Sequence, residues 1–239
     1  MIYLANENLI FLKPRKVAGT SFEIALSAYA DTLSIVTSLP GEEHLRAQGG
    51  GAKNNLWSLG DLFHLRIRDC VKMVYVPARR QKFWQHVNAE TVKNRLGDGI
   101  FQSAFKVSIV RNPFDYCVSL YEWRKSQGKV SNLSFSDWLS ENPTVINSNN
   151  KFYYINNKEV INYYIRYEYL IDDVRRLEAL YPTLKGLGGI LMNTSAKKGI
   201  RPEEKSIAEY YKGQQGLVDT ISYLNSDIIR KFQYKPPMV

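Results

Sequence analysis

The sequence predicts an α/β fold: a central, mostly parallel β-sheet flanked by helices, in a single domain spanning residues 1–239. Three observations carry that expectation. Leu9–Leu12 and Phe105–Val110 are short apolar or β-branched runs that read as buried strands. Each is followed by apolar residues at helical spacing. Strands that alternate with helices along a chain favour a parallel sheet joined by crossover helices. Hydrophobic residues make up 44% of the chain, enough for a full core, and no linker demands a second domain.

The elements follow in order. Leu9–Leu12 is bounded by Pro14, and Phe22, Leu26 and Tyr29 then mark one face of a first helix. Ile35-Val36-Thr37 follows, then a polar segment from Pro40 to Asn55 whose Gly49-Gly50-Gly51 reads as a flexible loop. Val71–Val76 is β-branched and aromatic and reads as a strand ended by Pro77. Asn88 caps a helix over Ala89–Leu96, with Glu90 in its first turn and Gly97 past its end. After the strand Phe105–Val110, Asn112-Pro113 starts a helix whose buried face is Phe114, Cys117, Val118 and Tyr121. Ser134 or Ser136 caps a short helix through Trp138 and Leu139. Phe152 to Tyr169 reads as a hairpin turning at Asn156-Asn157. A helix from about Ile171 to Leu180 is stopped by Pro182, and a last one runs from Leu217 to Phe232.

Lysine plus arginine exceed aspartate plus glutamate by 32 − 23, or +9, which suits an anionic partner. The basic residues are scattered rather than run together, which argues against a nucleic-acid arm. Cys70 and Cys117 have no metal-ligand spacing and are expected as free thiols in a reducing compartment. With three histidines and no Cys/His cluster, a structural metal is not expected. No apolar run reaches membrane-span length, and no signal peptide or anchor is expected from Met1–Asn8, so the expected location is cytoplasmic.

Strand, basic glycine-containing turn, then helix is the layout of a phosphate site at Lys16, Gly19, Thr20 and Ser21. Backbone N–H groups at a helix start face the anion, the helix dipole favours negative charge, and lysine and hydroxyl side chains add donors. The nucleoside-triphosphatase pattern G-x-x-x-x-G-K-[ST] is absent here, because Pro14 stands five before Gly19 and Thr20 follows it. Further on, Arg111 follows a strand, and Ser119 comes about two helical turns later. A guanidinium at a strand's carboxyl end grips a phosphate through two N–H groups, and a serine hydroxyl adds a third donor.

Pro14-Arg15-Lys16-Val17-Ala18-Gly19-Thr20-Ser21 resembles the 5′-phosphosulfate loop of sulfotransferases, closest to carbohydrate-type members. Val110-Arg111-Asn112-Pro113-Phe114-Asp115-Tyr116-Cys117-Val118-Ser119-Leu120-Tyr121 resembles that family's 3′-phosphate segment, with the family's arginine-to-serine spacing. Weaker likenesses cover much of the remaining chain. Phe83–Glu90 resembles the segment that precedes the 3′-phosphate region, and Arg166-Tyr167-Glu168 with Asp172-Asp173 resembles an "R-x-E-x-L-x-x-D" stretch. Asn193-Thr194-Ser195 with Lys197, Lys198 and Arg201 resembles a basic loop over the nucleotide. Asp227 to Tyr234 resembles a terminal "D-x-x-x-F-G-Y", with Gln233 where the family has glycine.

The resemblance implies a three-layer architecture of P-loop type. It also implies transfer of a sulfuryl group from 3′-phosphoadenosine 5′-phosphosulfate (PAPS) to an acceptor hydroxyl on a carbohydrate or small molecule, without a metal. Arg15, Lys16, Gly19, Thr20 and Ser21 are then expected on the 5′ side, with Lys16 neutralising the leaving phosphate. Arg111 and Ser119 are expected on the 3′-phosphate, and Lys197, Lys198 and Arg201 over the nucleotide. His86 is the preferred base for the acceptor hydroxyl; His44, Glu42 and Glu43 stand behind it, and His64 reads as structural. Two other readings use the same residues: a small-molecule kinase of related architecture, and a non-catalytic nucleotide- or polyanion-binding module.

Overall fold

The computed structural model describes residues 1–46, 50–58, 81–130, 132–194 and 205–239. In chain order its elements begin with β1 (Ile2–Leu4), β2 (Leu9–Leu12), α1 (Gly19–Ser27), β3 (Ile35–Val36), α2 (Ala89–Leu96), α3 (Asp98–Ser103) and β4 (Phe105–Val110). Next come α4 (Pro113–Ser126), α5 (Phe135–Glu141), α6 (Asn150–Tyr153), β5 (Tyr154–Ile155), β6 (Lys158–Glu159) and β7 (Tyr163–Arg166). The order closes with α7 (Leu170–Leu180), α8 (Leu187–Asn193), α9 (Ile207–Tyr211), α10 (Gln215–Leu224) and α11 (Ser226–Phe232). The chain divides into two compact units, Met1–Ile109 with Lys151–Ala196, and Val110–Asn150 with Lys197–Val239. The strand read over Val71–Val76, Gly49 of the glycine triplet, His64, Cys70, Lys197, Lys198 and Arg201 lie outside the described residues.

The first unit is built on a five-stranded sheet in the order β3-β1-β2-β4-β7. β2 and β4 run parallel, with Leu12 opposite Ser108, so their carboxyl ends share one edge of the sheet. β1 is antiparallel to both β2 and β3, which makes the sheet mixed where a mostly parallel one was expected. The reason is local: β1 turns back into β2 through Ala5–Asn8, with Asn8 in the left-handed region at φ 46°, and so short a turn can only join antiparallel strands.

All four residues of β2 are buried, as a run of four apolar side chains covered on both faces requires. On one face Leu9 and Phe11 join Ile2, Leu4, Val107, Ile109 and Ile165. Phe22, Ala25 and Leu26 of α1, Val174 and Leu177 of α7, and Leu187 and Leu191 of α8 pack against them. α1 ends at Ser27, short of Tyr29, which packs on this core from beyond the helix and donates to the Lys185 carbonyl at 2.9 Å. The Asn156-Asn157 hairpin forms, with both asparagines left-handed at φ 49° and 61°, as a two-residue turn of this type requires. It has only two residues per strand; Tyr163–Arg166 instead joins the central sheet as β7.

The second unit is helical. Asn112 caps α4 by accepting from the Phe114 N–H at 3.0 Å, and Pro113 fills the first helical position. Phe114, Cys117, Val118 and Tyr121 are all buried, packed with Phe135 and Trp138 of α5, Tyr210 and Tyr211 of α9, and Val218 and Ile221 of α10. Where one terminal helix was expected, α10 and α11 are separate. Asn225 breaks the run: its amide donates to the Ile221 carbonyl at 3.0 Å, and its backbone leaves helical geometry. Among the described residues no helix is long and apolar enough to cross a membrane.

Candidate functional site

The segment between β2 and α1 holds the first group of candidate residues. Lys16 and Ala18 are both left-handed, at φ 60° and 57°, while Val17 between them is not. Alternating hand turns successive backbone N–H groups toward one concave side, the geometry of an anion cradle. α1 begins at Gly19, so the N–H groups of its first turn have no acceptor within the helix and add to the cradle's positive end. A side chain at Gly19 would put its Cβ 3.0 Å from Lys13 Cγ and 3.5 Å from the Pro14 carbonyl oxygen, so glycine permits this close approach. Gly19 is buried, Lys16, Thr20 and Ser21 are half-buried, and Arg15 is exposed. These features fit a phosphate-bearing ligand: a cradle of backbone donors, one flanking cation, and two hydroxyls.

Lys13 lies beneath the cradle. Its side chain is 1% exposed, and its ammonium stands 2.7 Å from Glu23 Oε2 on α1. Glu23 is fully buried; its Oε1 also accepts from the Thr37 hydroxyl at 2.7 Å and faces Arg46 Nη2 and the Met1 amine, each at 3.4 Å. Burial opposes ionisation of Glu23, but the Met1 amine, Lys13 and Thr37 outweigh it and hold its carboxyl below the usual range. Burial pushes the Lys13 ammonium below its ordinary value, and Glu23 pulls it back. The sequence reading passed over both residues. Their signal was a lysine closing a buried strand and one acid set inside the apolar run Phe22–Leu26.

The structure brings His86, 73 residues away in sequence, to this segment: its Nδ1 lies 3.0 Å from the Lys13 carbonyl oxygen. A carbonyl only accepts, so Nδ1 carries the proton and Nε2 keeps its lone pair. Burial lowers the imidazole to about 4, with Lys13, the Met1 amine and Arg15 adding to the effect against the pull of the carbonyl. At neutral pH His86 is therefore a neutral ring with its acceptor nitrogen fixed. The alternatives fare differently. His44 is exposed. Glu43 fastens its own loop, accepting from Leu39 N–H at 2.7 Å, Ala52 N–H at 2.9 Å and Arg46 Nη1 at 3.0 Å.

The second unit holds Arg111 and Ser119. Arg111 follows β4 directly, and its Nε donates to Asp115 at 2.7 Å. This is the ion pair at a helix start that a structural arginine would make, and it fixes the guanidinium's stem. Ser119 is one turn beyond Asp115 on the same side of α4 and is half-buried. Cys117 is fully buried, and burial raises its thiol far above the ordinary range, so it is inert.

Two of the weaker sequence likenesses have structural roles. Arg166 grips Asp173 with Nε and Nη2 at 2.8 and 2.7 Å, a two-pronged pair that ties β7 to α7. Gln233 ends α11 in the left-handed region at φ 54°, the conformation that favours the glycine of the family pattern. Comparison of the chain with protein-family models, with curated proteins and with solved structures gives no match.

Proposed function

We propose that this protein is a PAPS-dependent sulfotransferase that acts on a hydroxyl of a carbohydrate or small molecule. One observation carries the reading. The two stretches that resemble the sulfotransferase nucleotide segments follow the carboxyl ends of β2 and β4, which are adjacent and parallel. Ligands of α/β sheets gather at that edge. The left-handed alternation at Lys16 and Ala18 and the neutral, oriented His86 support it further.

The donor, when bound, supplies a sulfuryl group on a phosphate leaving group. The Lys16–Ser21 backbone donors hold the 5′-phosphate, and the Lys16 ammonium offsets the charge that grows on its bridging oxygen. Arg15 adds positive charge at the mouth of the loop. Arg111 and Ser119 are assigned to the 3′-phosphate, and the family resemblance alone assigns Lys197, Lys198 and Arg201 to nucleotide binding. His86 takes the hydroxyl proton at Nε2 as the acceptor oxygen bonds to sulfur. The sulfur–oxygen bond to the 5′-phosphate breaks in the same step, and its electron pair leaves on the phosphate.

The test is conversion of PAPS to the desulfated nucleotide in metal-free buffer across a panel of hydroxyl acceptors, beside a Lys16→Ala variant. The variant is expected to keep its melting transition and lose turnover at least a hundredfold, in line with loss of a charge-stabilising group. Turnover equal to wild type would remove Lys16 from the chemistry.

A further inference from the structure

A buried ion pair is a poor device for stability, because desolvating both charges cancels most of their attraction. Lys13 and Glu23 nevertheless form one, 1% and 0% exposed, directly behind the anion cradle. The Lys13 side chain passes beneath Gly19, within van der Waals reach of where a Cβ would stand, and ends on Glu23 in the second turn of α1. Glu23 is tied in turn to Thr37 at 2.7 Å, and Arg46 spans Glu23 and the Thr37 carbonyl at 3.4 and 2.8 Å. The carboxylate thereby joins the end of β2, helix α1 and the segment after β3. The cradle itself is strained, since each non-glycine residue held left-handed costs about 1 kcal/mol or more, and strain of this kind persists only where the surroundings over-determine it. At the other end of Lys13, its carbonyl accepts the His86 Nδ1 proton at 3.0 Å.

We propose that Glu23 is a positioning residue: acting through Lys13, it holds the Lys16–Ala18 cradle in its left-handed form and locks His86 as the Nδ1–H tautomer. Its catalytic consequence rests on the sulfotransferase reading, but its test needs neither ligand nor turnover. The same side chain that sets where the anion sits also sets where the base's lone pair points. Donor site and proton acceptor are then aligned by one buried contact rather than by two independent ones.

The experiment is nitrogen-15 NMR of histidine-labelled protein across pH, with the His86 signals assigned through His86→Gln, in wild type, Glu23→Gln and Thr37→Val. Among the described residues, Lys13, Arg15 and the Met1 amine act on His86 electrostatically, and the Phe152 ring packs against it at a steep angle. For Glu23→Gln, electrostatics and positioning predict opposite signs. Removing an anion from among these cations lowers the His86 pKa further, whereas releasing Lys13 frees the imidazole and raises it toward its ordinary value. The expected result is a rise of about one unit or more with a mixed tautomer. A lower or unchanged pKa with the Nδ1–H tautomer intact overturns the proposal. Should Glu23→Gln not fold, Thr37→Val changes no charge; it removes the 2.7 Å bond to Glu23 together with the hydroxyl's 2.9 Å contacts to the Met1 amine and the Met1 carbonyl. It is expected to shift His86 in the same upward direction, and an unchanged His86 signal in that folded variant overturns the proposal equally. If wild type fails to bind 3′-phosphoadenosine 5′-phosphate, the functional reading falls, while the His86 result stands or falls by itself.

Discussion

His86 makes folding stability depend on pH in a way that can be worked out in advance. In the folded protein its imidazole is lowered from 6.5 to about 4, chiefly by burial. The unfolded chain therefore takes up this proton near pH 6.5, while the folded chain resists it until near pH 4. The sign follows: His86 costs nothing above pH 7, and stability is lost as pH falls from 6.5 toward 4. At about 1.4 kcal/mol per unit, the full loss is about 3 kcal/mol, and roughly 2.5 kcal/mol has gone by pH 4.5. Carboxylates also titrate there, so the comparison is with His86→Gln, whose amide still donates to the Lys13 carbonyl but takes no proton. Urea unfolding at pH 7.5 and pH 4.5 should show wild type losing roughly 2.5 kcal/mol more than the variant between the two conditions. Equal losses in the two proteins would mean that His86 is not held neutral, and the assignment of Nε2 as a ready acceptor would fail with it.

Other substitutions test separate parts of the account. Gly19→Ala forces a methyl to 3.0 Å from Lys13 Cγ and should cost about 1–3 kcal/mol in denaturant unfolding; a neutral result would mean that the Lys13 chain moves aside freely. Arg111→Lys keeps a positive charge but loses the planar fork, so affinity for 3′-phosphoadenosine 5′-phosphate should fall about tenfold with little change in melting temperature. Unchanged affinity would leave Arg111 with only its Asp115 partner. Gln233→Gly relieves a left-handed C-cap and should raise stability by about 1 kcal/mol, read as a higher urea midpoint.

What the sequence revealed follows how local each signal is. The strands Leu9–Leu12 and Phe105–Val110, the capped helix Ala89–Leu96 and the proline start at Pro113 appear where expected, because pattern, cap and breaker residues lie within a few positions of one another. β1 and β3 are three and two residues long, too short for a pattern, and exist through pairing with each other and with β2. Helix α8 contains Gly188-Gly189, and glycine is a weak helix former, so the local pattern does not announce it. There Gly188 admits the Glu178 carboxylate, which accepts its N–H at 2.5 Å and would lie 3.1 Å from an added Cβ. In the site, the types and order of Lys16, Gly19, Arg111 and Ser119 were legible. The Lys13–Glu23 pair and the Lys13 carbonyl that orients His86 were not, because they depend on which strand end meets which helix.

The most direct measurement is calorimetric titration of the full chain, without metal, with 3′-phosphoadenosine 5′-phosphate beside ATP. Micromolar binding of the bisphosphate and little of ATP is the result predicted by the proposed function, which assigns one phosphate to the Lys16–Ser21 segment and the other to Arg111 and Ser119. Absent binding of the bisphosphate, or stronger magnesium-dependent binding of ATP, would contradict the account and bring the kinase reading forward.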